Sequence, residues 1–300
     1  VQAEFGILSP YRTAVMEMAA ASGLMLIPGE RRNPLNTSTR GTGQLIRAAL
    51  DHNCPEIIIG LGGSATTDGG IGMAEELGVS FLDRSGKPIV TTGAGLLELA
   101  GIDVSGLDQR IGNTRIIAAC DVNNPLHGIN GAARVFAAQK GASFDEVELL
   151  ERGLINFARI VEHDLNQKID QLPGGGAAGG LGAGLAVFLR AELQAGFKLI
   201  DRMTGFSEKA LSCDLIITGE GQFDRQSFSG KVVGQVLTIG RKNNIRTVIF
   251  TGRNRLEQQI IENVKIIEIT PGDYKTEKAI TQAGILLEKA ARDFALGLRN

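Results

Sequence analysis

Short unbroken apolar runs recur along the chain, each bounded by glycine, proline or charged residues. Between them lie longer stretches in which apolar residues return every three or four positions. Runs of the first kind read as buried strands and stretches of the second kind as amphipathic helices. The pattern predicts strands at Glu4–Leu8, Ala14–Met18, Ile57–Leu61, Val79–Leu82, Arg115–Cys120, Leu215–Thr218, Thr247–Thr251 and Lys265–Thr270. It predicts helices at Gly43–Asn53, Thr67–Leu77, Phe144–Asn166, Leu181–Ala195, Val232–Asn243 and Thr276–Leu296. Ser143 followed by Glu146 is the signature of a capping box ahead of the longest central helix. Strands alternating with helices imply an α/β fold. The last third has the rhythm of a doubly wound parallel sheet, and the less regular region before it is expected to form a separate domain. No repeat at a fixed period and no low-complexity tail interrupts this order.

One junction stands out. Residues 56–76 read EIIIGLGGSATTDGGIGMAEE: an apolar run stops at Gly62-Gly63-Ser64, and Asp68 precedes a helical pattern. A strand, a glycine turn and a helix start would present bare backbone N–H groups and a positive dipole end to an anion. Ser64, Thr66 and Thr67 can hydrogen-bond a phosphate or carboxylate, and Asp68 can hold a metal. An ordinary turn with Asp68 as a helix cap would look the same in sequence.

Composition narrows the classes. The chain has 300 residues, a hydrophobic fraction of 43% and a net charge of −2. That is enough for one large or two medium cores. Charges of both signs are dispersed, which argues against a nucleic-acid or anionic-membrane surface. Cys54, Cys120 and Cys213 form neither a C-x-x-C pair nor a disulfide framework, which fits a reducing cytoplasm. His52, His127 and His163 make no zinc pattern. The longest apolar stretch, Leu181 to Leu189, falls far short of a membrane span. The chain opens at Val1 without a signal-peptide pattern, and residues 3–8 already read as a strand. The numbered chain is expected to start partway into a longer protein.

Three further segments carry candidate chemistry. In IIAACDVNNPLHGINGAARVFAAQKG, residues 116–141, a strand delivers Asp121 to its carboxyl end, where α/β sheets collect ligands. Asp121 suits Mg²⁺ or a hydroxyl proton, and Lys140 suits a phosphate as a mobile charge. In PGGGAAGGLGAG, residues 173–184, Gly174, Gly176 and Gly179 satisfy G-x-G-x-x-G, but polar Lys168–Gln171 precedes them rather than a buried strand. This loop either cradles phosphate or packs closely on a neighbour. In DLIITGEGQFDRQSFSGK, residues 214–231, Gly219, Glu220, Gly221, Asp224 and Lys231 gather just past a strand end. Two carboxylates there suit magnesium bridged to phosphates. A lysine opening a helix opposes the dipole unless an anion sits between them. No P-loop, protein-kinase signature or hydrolase elbow occurs.

Together these segments resemble a known family. GGSATTDGG at 62–70, ACDVNNPLHGINGAARVFAAQKGA at 119–142, PGGGAAGGLGAGL at 173–185 and TGEGQFDRQSFSGK at 218–231 look like the signature blocks of bacterial glycerate kinases. EMAAASGL at 17–24 and RRNPLNTSTRGTGQLI at 31–46 are similar too. The resemblance runs in order over nearly the whole chain. It implies ATP-dependent phosphorylation of D-glycerate to 2-phosphoglycerate. It also implies two domains: a discontinuous flavodoxin-like parallel-sheet domain and an inserted domain resembling a restriction-endonuclease fold. The family's D-S-F-K and D-G-G-E-G-T blocks lie upstream of anything matching Val1, so the flavodoxin-like domain is expected to be incomplete here.

The reading is a two-domain α/β kinase, with residues 1–205 as the inserted domain and 206–300 as the C-terminal part of the flavodoxin-like domain. Gly62, Gly63, Ser64, Asn124, Gly219 and Gly221 are expected to hold substrate or phosphate oxygens. Asp68 or Asp121 would orient the glycerate hydroxyl or accept its proton. Glu220 and Asp224 would hold Mg²⁺, and Lys140 and Lys231 would balance anionic charge. ATP and D-glycerate are the expected partners, without nucleic acid or membrane; assembly of identical subunits stays open. Two rivals remain: an NAD-dependent dehydrogenase, favoured by the glycine triplet alone, and a non-catalytic glycerate-binding protein.

Overall fold

The isoleucines Ile57, Ile58 and Ile59 are 0%, 3% and 0% exposed, so neighbouring side chains on both faces of their strand are covered. A strand buried on both sides needs no alternation, which is why the run reads as continuously apolar. In the computed structural model, which describes residues 1–228, 232–256 and 262–298, this strand lies at the centre of the first of two units. The units are Val1–Gly196 and Phe197–Asn300, with the division falling at Gly196 rather than near residue 205. The α/β architecture in two domains is the one the alternation implied.

In the first unit, β1 (Gly6–Leu8), β2 (Thr13–Glu17), β3 (Glu56–Gly60), β4 (Ser80–Leu82), β5 (Gly101–Asp103), β6 (Arg115–Ala119) and β7 (Glu192–Gln194) follow in chain order. Five of them form one sheet in the order β1-β2-β3-β6-β7, and β4 pairs with β5 apart from it. β1 runs antiparallel to β2, while β2, β3, β6 and β7 are parallel. The register aligns Glu17 with Gly60, Gly60 with Ala119 and Ala119 with Gln194, so four carboxyl ends share one edge. Ligands of parallel sheets bind beyond such an edge.

One face of this sheet carries Ala14, Met16, Ile57, Ile59, Ile116 and Ala118 into a single core. Leu45, Ile46 and Ala49 come from the helix Arg40–Asp51, and Leu154, Phe157 and Val161 from the helix Phe144–Leu165. Phe188 stacks edge-on to Phe81 at 5.5 Å and lies 6.2 Å from Phe157. Each such side chain, fully buried, stabilises the fold by about 1.5–3 kcal/mol. The capping box forms: Ser143 accepts from Glu146 N, and Glu146 Oε2 accepts from Ser143 N at 2.7 Å.

Some expectations are corrected. The helix from Leu181 ends at Leu189, because Arg190 adopts a left-handed conformation at φ 54°, and the expected last turn instead joins the sheet as β7. The helix expected from Thr67 starts only at Ile71, since Gly69 and Gly70 both have positive φ. The C-terminal helix divides at Gln282 into Thr276–Thr281 and Ala283–Gly297.

The second unit holds β8 (Leu215–Phe223), β9 (Arg246–Asn254) and β10 (Val264–Glu268), parallel in the order β10-β9-β8. The helix Val232–Lys242 supplies Val233, Val236 and Leu237 to two small cores with Ile216, Phe223, Ile245 and Ile249. Among the described residues, no helix is long and apolar enough to cross a membrane.

Candidate active site

Beyond Gly60 the chain leaves β3 and turns at Gly62-Gly63. Gly63 sits at φ 70°, a conformation other residues adopt only under strain. The loop that follows is tied down over its length. Leu24 N donates to Gly63 O at 2.8 Å, Ala65 N to Ser22 O at 3.0 Å, and Thr37 Oγ1 to Ala65 O at 2.9 Å. The helix after it begins only at Ile71, well beyond Gly62–Ser64, and Gly62 and Gly63 are themselves exposed.

Beside this loop, β6 delivers Cys120 and Asp121. Asp121 is exposed, and its Oδ1 accepts from Gly196 N at 2.7 Å. Among the described residues, its second oxygen has no such tie. Asn124 shapes this loop: Nδ2 donates to Asn130 O at 2.8 Å, and its backbone carbonyl accepts from Gly176 N at 2.9 Å. Farther on, the turn Ala138–Lys140 brings Gln139 and Lys140 back to the same edge.

The glycine-rich segment closes the far side by packing. A Cβ on Gly179 would overlap the Thr66 carbonyl oxygen, so glycine there lets two backbones touch. Gly69 N donates to Gly179 O at 3.1 Å across this contact. Of the G-x-G-x-x-G glycines, Gly179 packs on the Thr66–Gly70 loop, while Gly174 packs beside Cys120 and Gly176 against the Pro125 carbonyl. Ala178, at φ 52°, holds a left-handed conformation at the cleft wall; such strain gathers at functional sites.

These elements enclose a cleft of about 410 Å³. Gly62, Gly63, Ser64, Asp121, Gln139, Lys140 and Ala178 are among its walls. Five of the expected residues thus meet in one place, at the carboxyl ends of β3 and β6. A larger groove of about 610 Å³, lined by Arg84, Arg159 and His163 among others, includes none of them.

Two charges lie beneath the cleft. Lys140 is 2% exposed rather than a mobile surface charge, and its Nζ donates to Thr66 O at 2.7 Å. Burial pulls its ammonium down to about 7, against the opposing pull of Asp68. Asp68, expected to face substrate or metal, is fully buried and absent from the cleft walls. Its Oδ2 accepts from Thr39 N at 2.7 Å and Thr39 Oγ1 at 2.8 Å, and Oδ1 accepts from Gly70 N at 3.1 Å. Burial pushes its carboxyl upward, and the hydrogen bonds from Thr39, Gly70 and Gly72 pull it back. Asp68 is thus the post that holds Thr39 and the glycine loop together.

The remaining candidates belong to the second unit. Gly219, Glu220 and Gly221 do not follow the strand; they continue it, with Gly219 paired to Phe250 and Glu220 to Thr251. Asp224 comes directly after β8 and accepts from Gln222 Nε2 at 2.8 Å. Among the described residues, Glu220 Oε1 is buried without a hydrogen-bond partner, which suits a hard cation. Among the described residues, no three His, Cys, Asp or Glu side chains cluster as metal ligands, so a Mg²⁺ here would take further oxygens from water or phosphate. Lys231 lies outside the described residues.

Sequence reasoning passed over Glu17. It ends β2 level with Gly60, and its carboxylate lies against that glycine. The signal was its place at the head of EMAAASGL, directly after an apolar strand.

The glycerate kinase family profile matches residues 1–298. Glycerate kinase of Halalkalibacterium halodurans is 43% identical over 299 residues, covering 99% of this chain and 79% of that protein. Glycerate 2-kinase of Escherichia coli is 47% identical over 242 residues, covering 81% of this chain and 64% of that protein. A crystal structure carrying the name glycerate kinase 2, from Salmonella typhimurium LT2, superposes with a TM-score of 0.83 at 40% identity, covering 100% of this chain and 79% of that one.

Proposed function

The chain belongs to the glycerate kinase family, phosphotransferases with an alcohol group as acceptor, and within it we propose that the protein transfers the γ-phosphoryl group of ATP to the C2 hydroxyl of D-glycerate, giving 2-phosphoglycerate. The observation that carries the substrate assignment is the cleft uniting Gly62–Ser64, Asp121 and Lys140 at the carboxyl ends of two parallel strands. A volume of about 410 Å³ suits a small ligand.

Phosphoryl transfer asks a protein for positioning and charge neutralisation rather than covalent chemistry. Gly62, Gly63 and Ser64 offer backbone N–H groups and a hydroxyl to anionic oxygens. Asp121 holds the acceptor hydroxyl with the oxygen not committed to Gly196 and takes its proton. Lys140 supplies positive charge from the cleft floor. Glu220 and Asp224, in the second unit, would hold Mg²⁺, which would neutralise charge on the phosphates, and Gly219 and Gly221 would meet phosphate oxygens. Lys231 would add to that charge on the strength of its sequence position. We place the reaction in the cytoplasm.

A coupled assay of ADP release tests this reading. Turnover should require both D-glycerate and Mg²⁺, with L-glycerate and tartronate slower, and EDTA should abolish it. NAD-linked oxidation of glycerate, or binding without turnover, would replace the kinase assignment with one of its rivals.

A further inference from the structure

Lys140 is a buried amine with more donors than the protein satisfies. An ammonium has three N–H donors, and among the described residues Thr66 O is the acceptor it reaches. Asp68 faces it electrostatically but already accepts from Thr39 and Gly70. The side chain is 98% buried yet forms part of the cleft wall. An anion in the cleft would complete its coordination.

Resting on the assignment of this cleft to glycerate, we propose that Lys140 selects an anionic substrate: it meets the acid's carboxylate as an ammonium ion, and the protein takes up a proton as the acid binds. In a 2-hydroxy acid the hydroxyl and carboxylate sit on adjacent carbons, so the groups that read them must line the same small cleft. Asp121 and Lys140 do. The proton balance is simple: the free amine gains a proton from solvent, the carboxylate stays ionised, and no bond of the substrate changes. An amine held near 7 by burial is largely neutral in the empty cleft above that pH, and an incoming carboxylate restores its charge. The titratable group that acts on Lys140 is Asp68, whose carboxylate favours the ammonium, while Cys120 and Asp121 at the end of β6 line the same cleft. The Cys120 thiol is pushed up by burial and stays neutral across the range concerned.

Isothermal titration calorimetry in buffers of different ionisation enthalpy measures this uptake on the unmodified protein. D-Glycerate without nucleotide should take up about one proton per site at pH 8.5 and close to none at pH 6. Its affinity should weaken about tenfold per pH unit above pH 7. ATP alone should show no such uptake. Lys140→Met should abolish the uptake and flatten the pH dependence of binding. D-Glycerate binding at pH 8.5 without proton uptake would overturn the role of Lys140 and leave the cleft assignment standing. Uptake on ATP but not on D-glycerate would assign the amine to phosphate and overturn the proposal. Failure of D-glycerate to bind would overturn both readings.

Discussion

Replacing Asp68 with alanine should destabilise the protein by about 3–5 kcal/mol, the usual scale for removing one partner of a buried charged pair. The carboxylate is fully buried, and three N–H or O–H groups within 3.1 Å converge on it from Thr39 and Gly70. Without it those donors lose their acceptor and the Lys140 ammonium loses its counter-charge. Thr39 in turn accepts from Met73 N at 2.9 Å, so the damage reaches the start of two helices. Domains are stable by only about 5–15 kcal/mol, and the loss should show as a lower urea midpoint at unchanged slope. Asp68→Asn keeps the volume and part of the hydrogen bonding and should cost less. An Asp68→Ala protein with wild-type stability but no turnover would show that the carboxylate handles ligand after all.

Asp121→Asn should lower kcat by about 10²-fold, the scale of a lost general base, with KM little changed. The amide oxygen can still accept from Gly196 N, so the hydrogen bond seen at 2.7 Å survives and stability should hold. Asp121→Ala removes base and hydrogen bond together, adding a stability loss of about 1 kcal/mol. If this hydrogen bond were the residue's whole role, Asp121→Asn would turn over normally and only the alanine variant would suffer, through its melting temperature.

These two aspartates mark how far the sequence could be read. Both sit in glycine- or asparagine-rich turns after apolar strands, and both looked like ligand-handling groups. What separates them is a partner distant in the chain. Asp68 is sealed by Thr39, which no local pattern connects to it, whereas Asp121 stays at the surface. Lys140 is similar: the sequence shows a lysine before a glycine, and only the fold shows that it ends beneath Thr66. The central strands were legible because burial on both faces leaves an unbroken apolar run. β7 was not, because Glu192–Gln194 is short and polar and owes its strand conformation to pairing with β6. Gly219-Glu220-Gly221 carries the local signature of a turn, yet the ladder with β9 runs through it to Phe223. The meeting of Gly62, Gly63, Ser64 and Asp121 in one cleft follows from a rule the sequence does expose, that residues just past neighbouring parallel strands converge, whereas Lys140 joins them from the later turn Ala138–Lys140.

A diffraction structure of the protein with D-glycerate tests whether the acid binds in this cleft. Density for the acid is expected between Gly62–Ser64 and Asp121, its carboxylate within hydrogen-bond distance of Lys140 Nζ and its C2 hydroxyl on the Asp121 oxygen not bonded to Gly196 N. D-Glycerate bound elsewhere, with Asp121 and Lys140 untouched, would contradict that placement.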